Sequence, residues 1–245
     1  MAPRAAAALV VVALAAALTS CGGQDSQAPL TVFAAASLTD VLPPLAPEAR
    51  FSFAGSDQLA FQIAEGAPAD VFAAAGADEA QGLFRKGLIS RPQVFATNRM
   101  VVVVPTANPA RIVRVDDVAR PGVRLVLGDM GVPVGDYARA TLDRLKLGRA
   151  LGNVVSNEDD ARSVVAKVAL GEADAGLAYA TDLRSAKGRV VAVPVPAHAQ
   201  PGVEYRVAVV TASARPAEAR RFVARLLSAE GRRALAAQGF GLPHP

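Results

Sequence analysis

The sequence predicts an α/β protein of two lobes, each built on a mostly parallel sheet with helices on both faces. The first observation is that short apolar segments typical of strands alternate with amphipathic segments typical of helices along most of the chain. This alternation is typical of parallel sheets flanked by helices. The second observation is a pair of Val-rich segments, residues 99–105 and 204–211, which we interpret as the two crossings between the lobes.

Composition sets the limits of the interpretation. The chain has 245 residues, 52% hydrophobic and 20% charged, so it can bury one core or two small ones. Aromatic residues make up only 5% and Trp is absent, so we expect a core of Ala, Val and Leu. The formal charge is +4, with both signs interspersed. Because no basic stripe with interleaved aromatic residues is visible, we expect no nucleic-acid partner.

The N-terminus predicts export and lipid anchoring. Arg4 precedes an apolar run over residues 5–18, which is too short to span a bilayer and suits a signal-peptide core. The run ends in Leu-Thr-Ser-Cys, which resembles the lipobox of bacterial lipoproteins, so we expect a signal peptide over 1–20 and a lipid on Cys21. Residues 21–29 suit a flexible tether. An ordinary secretory leader with a chance Cys is the alternative.

The chain divides into three predicted segments. Residues 30–104 form the first part of lobe 1, residues 105–202 form lobe 2, and residues 203–245 return to lobe 1. Helices are expected to end at glycines such as Gly66 and Gly87. The predicted strands are 31–35, 50–54, 99–105, 124–129, 153–156, 175–179, 189–195 and 204–211, and residues 67–73 are predicted to be the turn into a further strand, the third along the chain. The predicted helices begin after Asp57 and cover 78–86, 137–147, 161–170, 216–227 and 229–237.

Enzyme chemistry is not indicated. The chain has no Gly-x-Ser-x-Gly, no Walker Gly-Lys-Ser/Thr, no His-Glu-x-x-His and no Cys-x-x-Cys. His198 lies in a Pro-rich segment and His244 lies at the C-terminus, so we expect both to be solvated. Asp159 and Asp160 could form an acid/base pair, but their position before a predicted helix favours capping and dipole complementarity.

Five places at predicted helix starts and strand ends offer hydroxyl or backbone N–H groups and carry no Lys or Arg. A Ser at a helix start can cap the helix, or it can donate its hydroxyl to a ligand. In open α/β sheets, ligands bind beyond the carboxyl ends of the strands, where helix starts offer free N–H groups. No Lys or Arg occupies these places, which suits a dianion held by dipoles and hydroxyls. The places are Ser37, Ser56, Val134-Gly135, Asp160-Ala161 and Tyr179.

Several segments resemble a known family. Thr31 to Leu38, Thr-Val-Phe-Ala-Ala-Ala-Ser-Leu, resembles the opening of the ModA-type molybdate-binding proteins of bacterial ABC importers. The similarity covers nearly all of the chain after the tether. Further matches to the family's signatures are Ser52–Ser56, Gln62-Ile63, Gly66–Phe72, Val132–Gly135 with Tyr137-Ala138, Glu158–Arg162 and Gly176–Tyr179.

The resemblance implies a type II periplasmic-binding-protein fold, with two lobes joined by two crossing strands. It implies a monomeric receptor at the outer face of the cytoplasmic membrane, without a cofactor, that delivers molybdate and usually tungstate to an ABC permease. In the family, two Ser hydroxyls, a Tyr hydroxyl and backbone N–H groups hold the oxyanion. Those positions correspond here to Ser37, Ser56, Val134, Ala161 and Tyr179, of which Val134 and Ala161 can serve only through the backbone.

Other functions remain open at this point. A receptor of the same fold could take sulfate or phosphate instead. Phosphate keeps a proton near neutral pH, so its receptor profits from a carboxylate acceptor, and Asp57 stands next to Ser56. A two-lobed enzyme would need a nucleophile–base pair, which the sequence does not suggest. A structural or adhesive lipoprotein would show repeats or aromatic patches, and these are missing.

Overall fold

The fold is described from a computed structural model, which covers residues 28–243. The predicted signal peptide, Cys21, most of the predicted tether and His244 lie outside the described residues. Between residues 28 and 243, no helix is both long and apolar enough to cross a membrane.

Strands and helices alternate through the described part of the chain. The strands are β1 (Thr31–Ala35), β2 (Arg50–Ala54), β3 (Val71–Ala74), β4 (Gln93–Asn98), β5 (Met100–Pro105), β6 (Leu125–Gly128), β7 (Val154–Glu158), β8 (Ala175–Tyr179), β9 (Val190–Pro194) and β10 (Val203–Val209). The α-helices are α1 (Leu42–Leu45), α2 (Ser56–Ala64), α3 (Ala77–Arg85), α4 (Pro133–Arg144), α5 (Ala161–Ala169), α6 (Pro216–Leu227) and α7 (Ala229–Ala237). Short 3-10 helices cover Ala36–Leu38, Val115–Ala119, Gly148–Asn153, Ala180–Ala186 and Ala197–Ala199.

The first sheet has five strands in the order β2-β1-β3-β10-β4. β1 pairs in parallel with β2 and β3, whereas β10 pairs antiparallel with β3 and β4. Four strands therefore run in one direction and β10 opposes them. Because β1, β2 and β3 run in parallel, their carboxyl ends lie at the same edge of the sheet. Their connections are crossovers, as parallel neighbours require.

The second sheet repeats this plan in the order β7-β6-β8-β5-β9. β6 pairs in parallel with β7 and β8, and β5 pairs antiparallel with β8 and β9. Here β5 is the one strand that opposes the others. The predicted fold class, two mostly parallel sheets with helices, is confirmed.

The chain changes sheets twice. β4 closes the first sheet at Asn98 and β5 enters the second at Met100, so the first crossing lies at Arg99. The predicted boundary places residues 100–104 in lobe 1, which is wrong, because β5 pairs with β8 and β9 and so belongs to lobe 2. An apolar run does not reveal which sheet it will join. From here, lobe 1 means residues 28–98 and 203–243, and lobe 2 means residues 99–202.

Apolar stripes fix the directions of the helices that reach the cleft. On α2, Leu59 and Ile63 are buried at the spacing predicted from the sequence. On α5, Val164, Val165 and Val168 are buried against the second sheet. Burying a Val, Leu or Ile side chain contributes about 1.5–3 kcal/mol each. These stripes therefore hold the first turns of α2 and α5 at the strand ends.

Several elements differ from the prediction, including α1, which the sequence does not suggest. α4 begins at Pro133 rather than Tyr137, because the fixed φ of Pro suits a first helical position. β4 was not predicted, since it is an edge strand whose residues pass from exposed to buried without a clear alternation.

Candidate oxyanion-binding site

A small cavity lies between the lobes, where the ends of β1, β2 and β3 face the first turns of α4 and α5. About 20 Å³ of it is open to the centre of a water molecule, and one water needs roughly 10–15 Å³ on this measure. The space suits a small inorganic ion and excludes a sugar or a peptide. The cavity is lined by Ala35, Ala36, Ser37, Ala54, Gly55, Ser56, Ala75, Val132, Pro133, Val134, Asp160, Ala161 and Tyr179. The structure thus brings all five predicted site residues to one cavity.

Ser37 contributes a buried hydroxyl from the turn after β1. The backbone becomes helical at Ala36, and the residue in the N-cap position is Ala35. Of the two roles open to Ser37, capping is therefore excluded, because Ser37 lies inside the 3-10 helix. Its Oγ lies 2.9 Å from the Oη of Tyr205 on β10.

A chain of polar groups orients the Ser37 hydroxyl. Asn98 Nδ2 donates to Tyr205 Oη at 3.3 Å, and to Oγ1 of Thr181 in lobe 2 at 2.8 Å. Tyr205 is fully buried, and burial raises its pKa well above the usual value, so it keeps its proton. The Tyr205 O–H is then free to donate to Ser37 Oγ, which leaves the Ser37 proton for a ligand.

Ser56 contributes a second buried hydroxyl at the start of α2. Gly55 is the N-cap residue and Ser56 is the first helical residue, so Ser56 does not cap α2 either. Ser56 Oγ instead accepts a hydrogen bond of 2.9 Å from the amide of Ala75, just after β3. Because a hydroxyl has one proton and two lone pairs, the Ser56 O–H is left to donate into the cavity.

The first turn of α4 presents the backbone amide of Val134. Pro133 has no N–H, and the amide of Gly135 turns back to the carbonyl of Val132 at 2.9 Å. The Val134 amide is thus a first-turn donor available to a ligand. Gly135 is needed for this approach to β6, since a Cβ there would lie 2.0 Å from the carbonyl oxygen of Asp129.

The first turn of α5 presents the amide of Ala161. Asp160 is the N-cap, and its Oδ1 accepts from the amides of Arg162 and Ser163 at 2.7 and 2.9 Å. Its Oδ2 accepts from Ser163 Oγ at 3.0 Å. The predicted capping role of Asp160 is confirmed. These bonds occupy the carboxylate and leave the first amide of the helix, that of Ala161, for a ligand.

Tyr179 ends β8 with a buried phenol. The residue is 2% exposed, and its Oη has no hydrogen-bond partner among the described residues. Its ring packs edge-on against Tyr137 and Tyr205, with centroids 6.3 and 6.0 Å away. Burial raises the pKa of Tyr179 well above its usual value, so the group is a fixed donor. A buried donor without a partner is costly, and an anion in the cavity would supply the acceptor.

No Lys or Arg side chain is among the described residues that line the cavity, and Asp160 is the one carboxylate there. Asp57 lies in the first turn of α2 but does not line the cavity. Burial raises the pKa of Asp57, and the nearby carboxylates Asp159 and Asp136 of lobe 2 add to the rise. The site therefore offers an anion neutral donors, with a negative rim beside them.

Sequence reasoning missed the groups that support these donors. Tyr205 and Asn98 orient Ser37, and the Ala75 amide orients Ser56. These partners are far from the serines in sequence, so no local pattern connects them. The closest signal in the sequence is the Val-rich segment that contains Tyr205, and this segment predicts a crossing but gives Tyr205 no role at the site.

Two lobes, two crossings and a small interlobe cavity lined by neutral donors define a type II periplasmic binding protein. The chain belongs to the bacterial extracellular solute-binding proteins, whose family model matches residues 30–241. It is a homologue of the ModA proteins. It is 36% identical to the molybdate-binding protein ModA of Mycobacterium bovis over 255 aligned residues, which cover 96% of this chain and 97% of that one.

Solved structures share the fold. The periplasmic molybdate-binding protein of Azotobacter vinelandii superposes with a TM-score of 0.77 at 20% identity, over 88% of this chain and 100% of that one. The sulfate-binding protein SubI from Mycobacterium tuberculosis superposes with a TM-score of 0.77 at 19% identity, over 89% and 88% of the two chains. Because the family consists of solute-binding proteins, the expectation that this chain is not an enzyme is confirmed.

Proposed function

We propose that this protein captures molybdate in the cavity between its lobes. The observation that carries the proposal is the buried Tyr179 hydroxyl, which has no partner among the described residues and lines the same cavity as the Ser37 and Ser56 hydroxyls. Free amides at the starts of α4 and α5 complete the set. Similarity to a molybdate-binding protein along nearly the whole chain supports molybdate as the ion.

The chemistry of the donors fits a fully deprotonated tetrahedral dianion. Hydroxyl and amide hydrogens point partial positive charge at the cavity, and the dipoles of α4 and α5 add to it. Hydrogen bonds to charged groups are stronger than those between neutral groups. We infer that Ser37, Ser56 and Tyr179, with the amides of Val134 and Ala161, surround the oxygens of molybdate.

Sulfate is the second candidate, because the fold is shared with a sulfate-binding protein. Sulfate has the same charge and shape as molybdate but shorter bonds from the central atom to oxygen. Phosphate fits less well, since it keeps a proton that needs an acceptor. Asp160 already accepts three hydrogen bonds, and Asp57 does not line the cavity.

We infer that tungstate binds in the same way, because it shares the charge, geometry and nearly the size of molybdate. We further propose that the protein acts as a monomer and delivers its oxyanion to an ABC permease in the cytoplasmic membrane. The fold supports this role, since a receptor that buries its ligand between two lobes must open them to release it.

A panel of oxyanions tests the proposed function by thermal unfolding of the chain without its predicted signal peptide. Molybdate and tungstate at micromolar concentration are expected to raise the melting temperature, by about 5–10 °C at 100 times the dissociation constant. Sulfate and phosphate at the same concentrations are expected to leave it unchanged. An equal rise in melting temperature with sulfate would contradict the assignment of molybdate as the ligand.

We also propose that a lipid on Cys21 holds the protein at the outer face of the cytoplasmic membrane. The support is the apolar run that ends in Leu-Thr-Ser-Cys. The Cys21→Ala protein is expected to leave the membrane fraction when cells are broken and fractionated. If the Cys21→Ala protein and the unaltered protein are both found in the membrane fraction, the anchor lies elsewhere.

A further inference from the structure

Arg162 of lobe 2 reaches across the cleft to lobe 1. It follows Ala161 in the first turn of α5, and its amide is held by the Asp160 cap. Its Nη2 forms an ion pair with Oδ2 of Asp40, in the turn that carries Ser37. The side chain of Arg162 is 23% exposed and that of Asp40 is 50% exposed, so solvent screens the pair only in part.

Within residues 28–243, this ion pair is the one that joins the two lobes. The other pairs connect residues of the same lobe. It lies beside the cavity, because Asp40 belongs to the Ser37 turn and Arg162 to the helix that begins at Ala161. Separating the lobes would separate its two charged groups.

The buried carboxyl group of Asp182, in lobe 2, also lies near the Arg162 guanidinium. The side chain of Asp182 is fully buried, and its oxygens have no hydrogen-bond partner among the described residues. Its Oδ1 lies 3.9 Å from Nε of Arg162. Arg162 is therefore placed between Asp182 of its own lobe and Asp40 of the other, which restricts the directions its side chain can take.

We propose that Arg162 is a positioning residue that latches the lobes over the bound oxyanion through its ion pair with Asp40. The inference rests on the proposed function, since it concerns closure of the same site. Opening the cleft must break the pair, whereas the first encounter of ligand with the open cleft does not involve it. A contact that exists only in the closed form and is absent from the open form changes the rate of opening and release more than the rate of encounter. The latch therefore slows release of the ligand.

Asp40→Asn separates the latch from simple charge effects, because the two predict opposite signs. Removing a negative charge near a dianion site should by itself strengthen binding. Loss of the latch should instead raise the rate constant for molybdate release by about two- to fivefold at low salt, with a smaller difference at high salt. Release of radiolabelled molybdate from the full-length protein, chased with unlabelled molybdate, measures this.

Asp57→Asn is the matched control. It removes the same charge from lobe 1 near the cleft, but Asp57 has no ion pair among the described residues. Its release rate is expected to be unchanged or lower. A double-mutant cycle with Arg162→Gln should show that Asp40→Asn no longer speeds release once the guanidinium is gone.

Ligand-free protein gives a readout that does not depend on molybdate. Small-angle X-ray scattering should show a larger radius of gyration for Asp40→Asn than for the unaltered chain, because more molecules are open. Release from Asp40→Asn at the unaltered rate or slower would overturn the latch. If the unaltered protein binds no molybdate, the proposed function fails. Equal scattering curves for ligand-free Asp40→Asn and the unaltered chain would overturn the latch independently of molybdate binding.

Discussion

Replacing either Ser37 or Ser56 by Ala is expected to weaken molybdate binding by about ten- to a hundredfold. Each hydroxyl lines the cavity and has its proton free for a ligand, because Tyr205 and the Ala75 amide occupy the other side of the oxygen. A hydrogen bond to a charged group contributes about 1.5–3 kcal/mol, and each 1.4 kcal/mol or so corresponds to tenfold in affinity. Titration calorimetry on both variants measures the loss.

The same substitutions also disturb the empty protein. Ser56→Ala leaves the Ala75 amide without an acceptor, which costs about 1–3 kcal/mol for a buried donor. Ser90→Ala is a control for loss of a Ser hydroxyl outside the cavity, because Ser90 Oγ accepts from the Val209 amide at 3.0 Å at an exposed position, where water can replace the hydroxyl and the loss is smaller. It should lower the melting temperature without changing affinity. Unchanged affinity in both cavity variants would mean that their hydroxyls serve the fold alone.

Asp182→Asn is expected to remove a large pH dependence of stability. Burial raises the pKa of Asp182 to about 8; Arg162 opposes the rise, whereas Asp160 and Asp40 add to it. An Asp in an unfolded chain titrates near 3.9 or so, so between these values the folded state holds a proton that the unfolded chain has lost. The free energy of unfolding of the unaltered protein should therefore fall, relative to Asp182→Asn, by about 1.4 kcal/mol per unit between pH 5 and 7.

Urea unfolding at several pH values measures this difference, with Asp174→Asn as the control. The guanidinium of Arg124 hydrogen-bonds to Asp174 and lowers its pKa. Both its folded and unfolded forms are then ionised above about pH 5, so Asp174→Asn should differ from the unaltered protein by a constant amount. A constant difference for Asp182→Asn as well would show that Asp182 is ionised in the folded protein.

Local signals predicted most of the elements. The strands at 31–35 and 175–179 and the helices at 216–227 and 229–237 have the predicted bounds. The strands are apolar runs with small or polar flanks, and Pro216 begins its helix at a first helical position. Ser37, Ser56, Val134, Ala161 and Tyr179 could be grouped because strand ends and helix starts of parallel sheets face the same edge.

Contacts between distant segments could not be predicted. Ser37 is 168 residues from Tyr205, and Asp40 is 122 residues from Arg162. The pairing of β10 with β3 brings Tyr205 to Ser37 within lobe 1, and the packing of lobe 2 on lobe 1 brings Arg162 to Asp40. The sheet that β5 joins depends on the same long-range packing. The sequence also leaves open whether the two serines cap helices, and only the backbone conformation shows that the N-cap residues are Ala35 and Gly55.

We propose above that a small cavity of neutral donors selects the oxyanion of molybdenum. Titration of molybdate into the protein by calorimetry, in the presence of a large excess of sulfate, tests it most directly. We expect one molybdate to bind per protein, with an affinity that sulfate hardly changes. Displacement of molybdate by sulfate at comparable concentrations would contradict it.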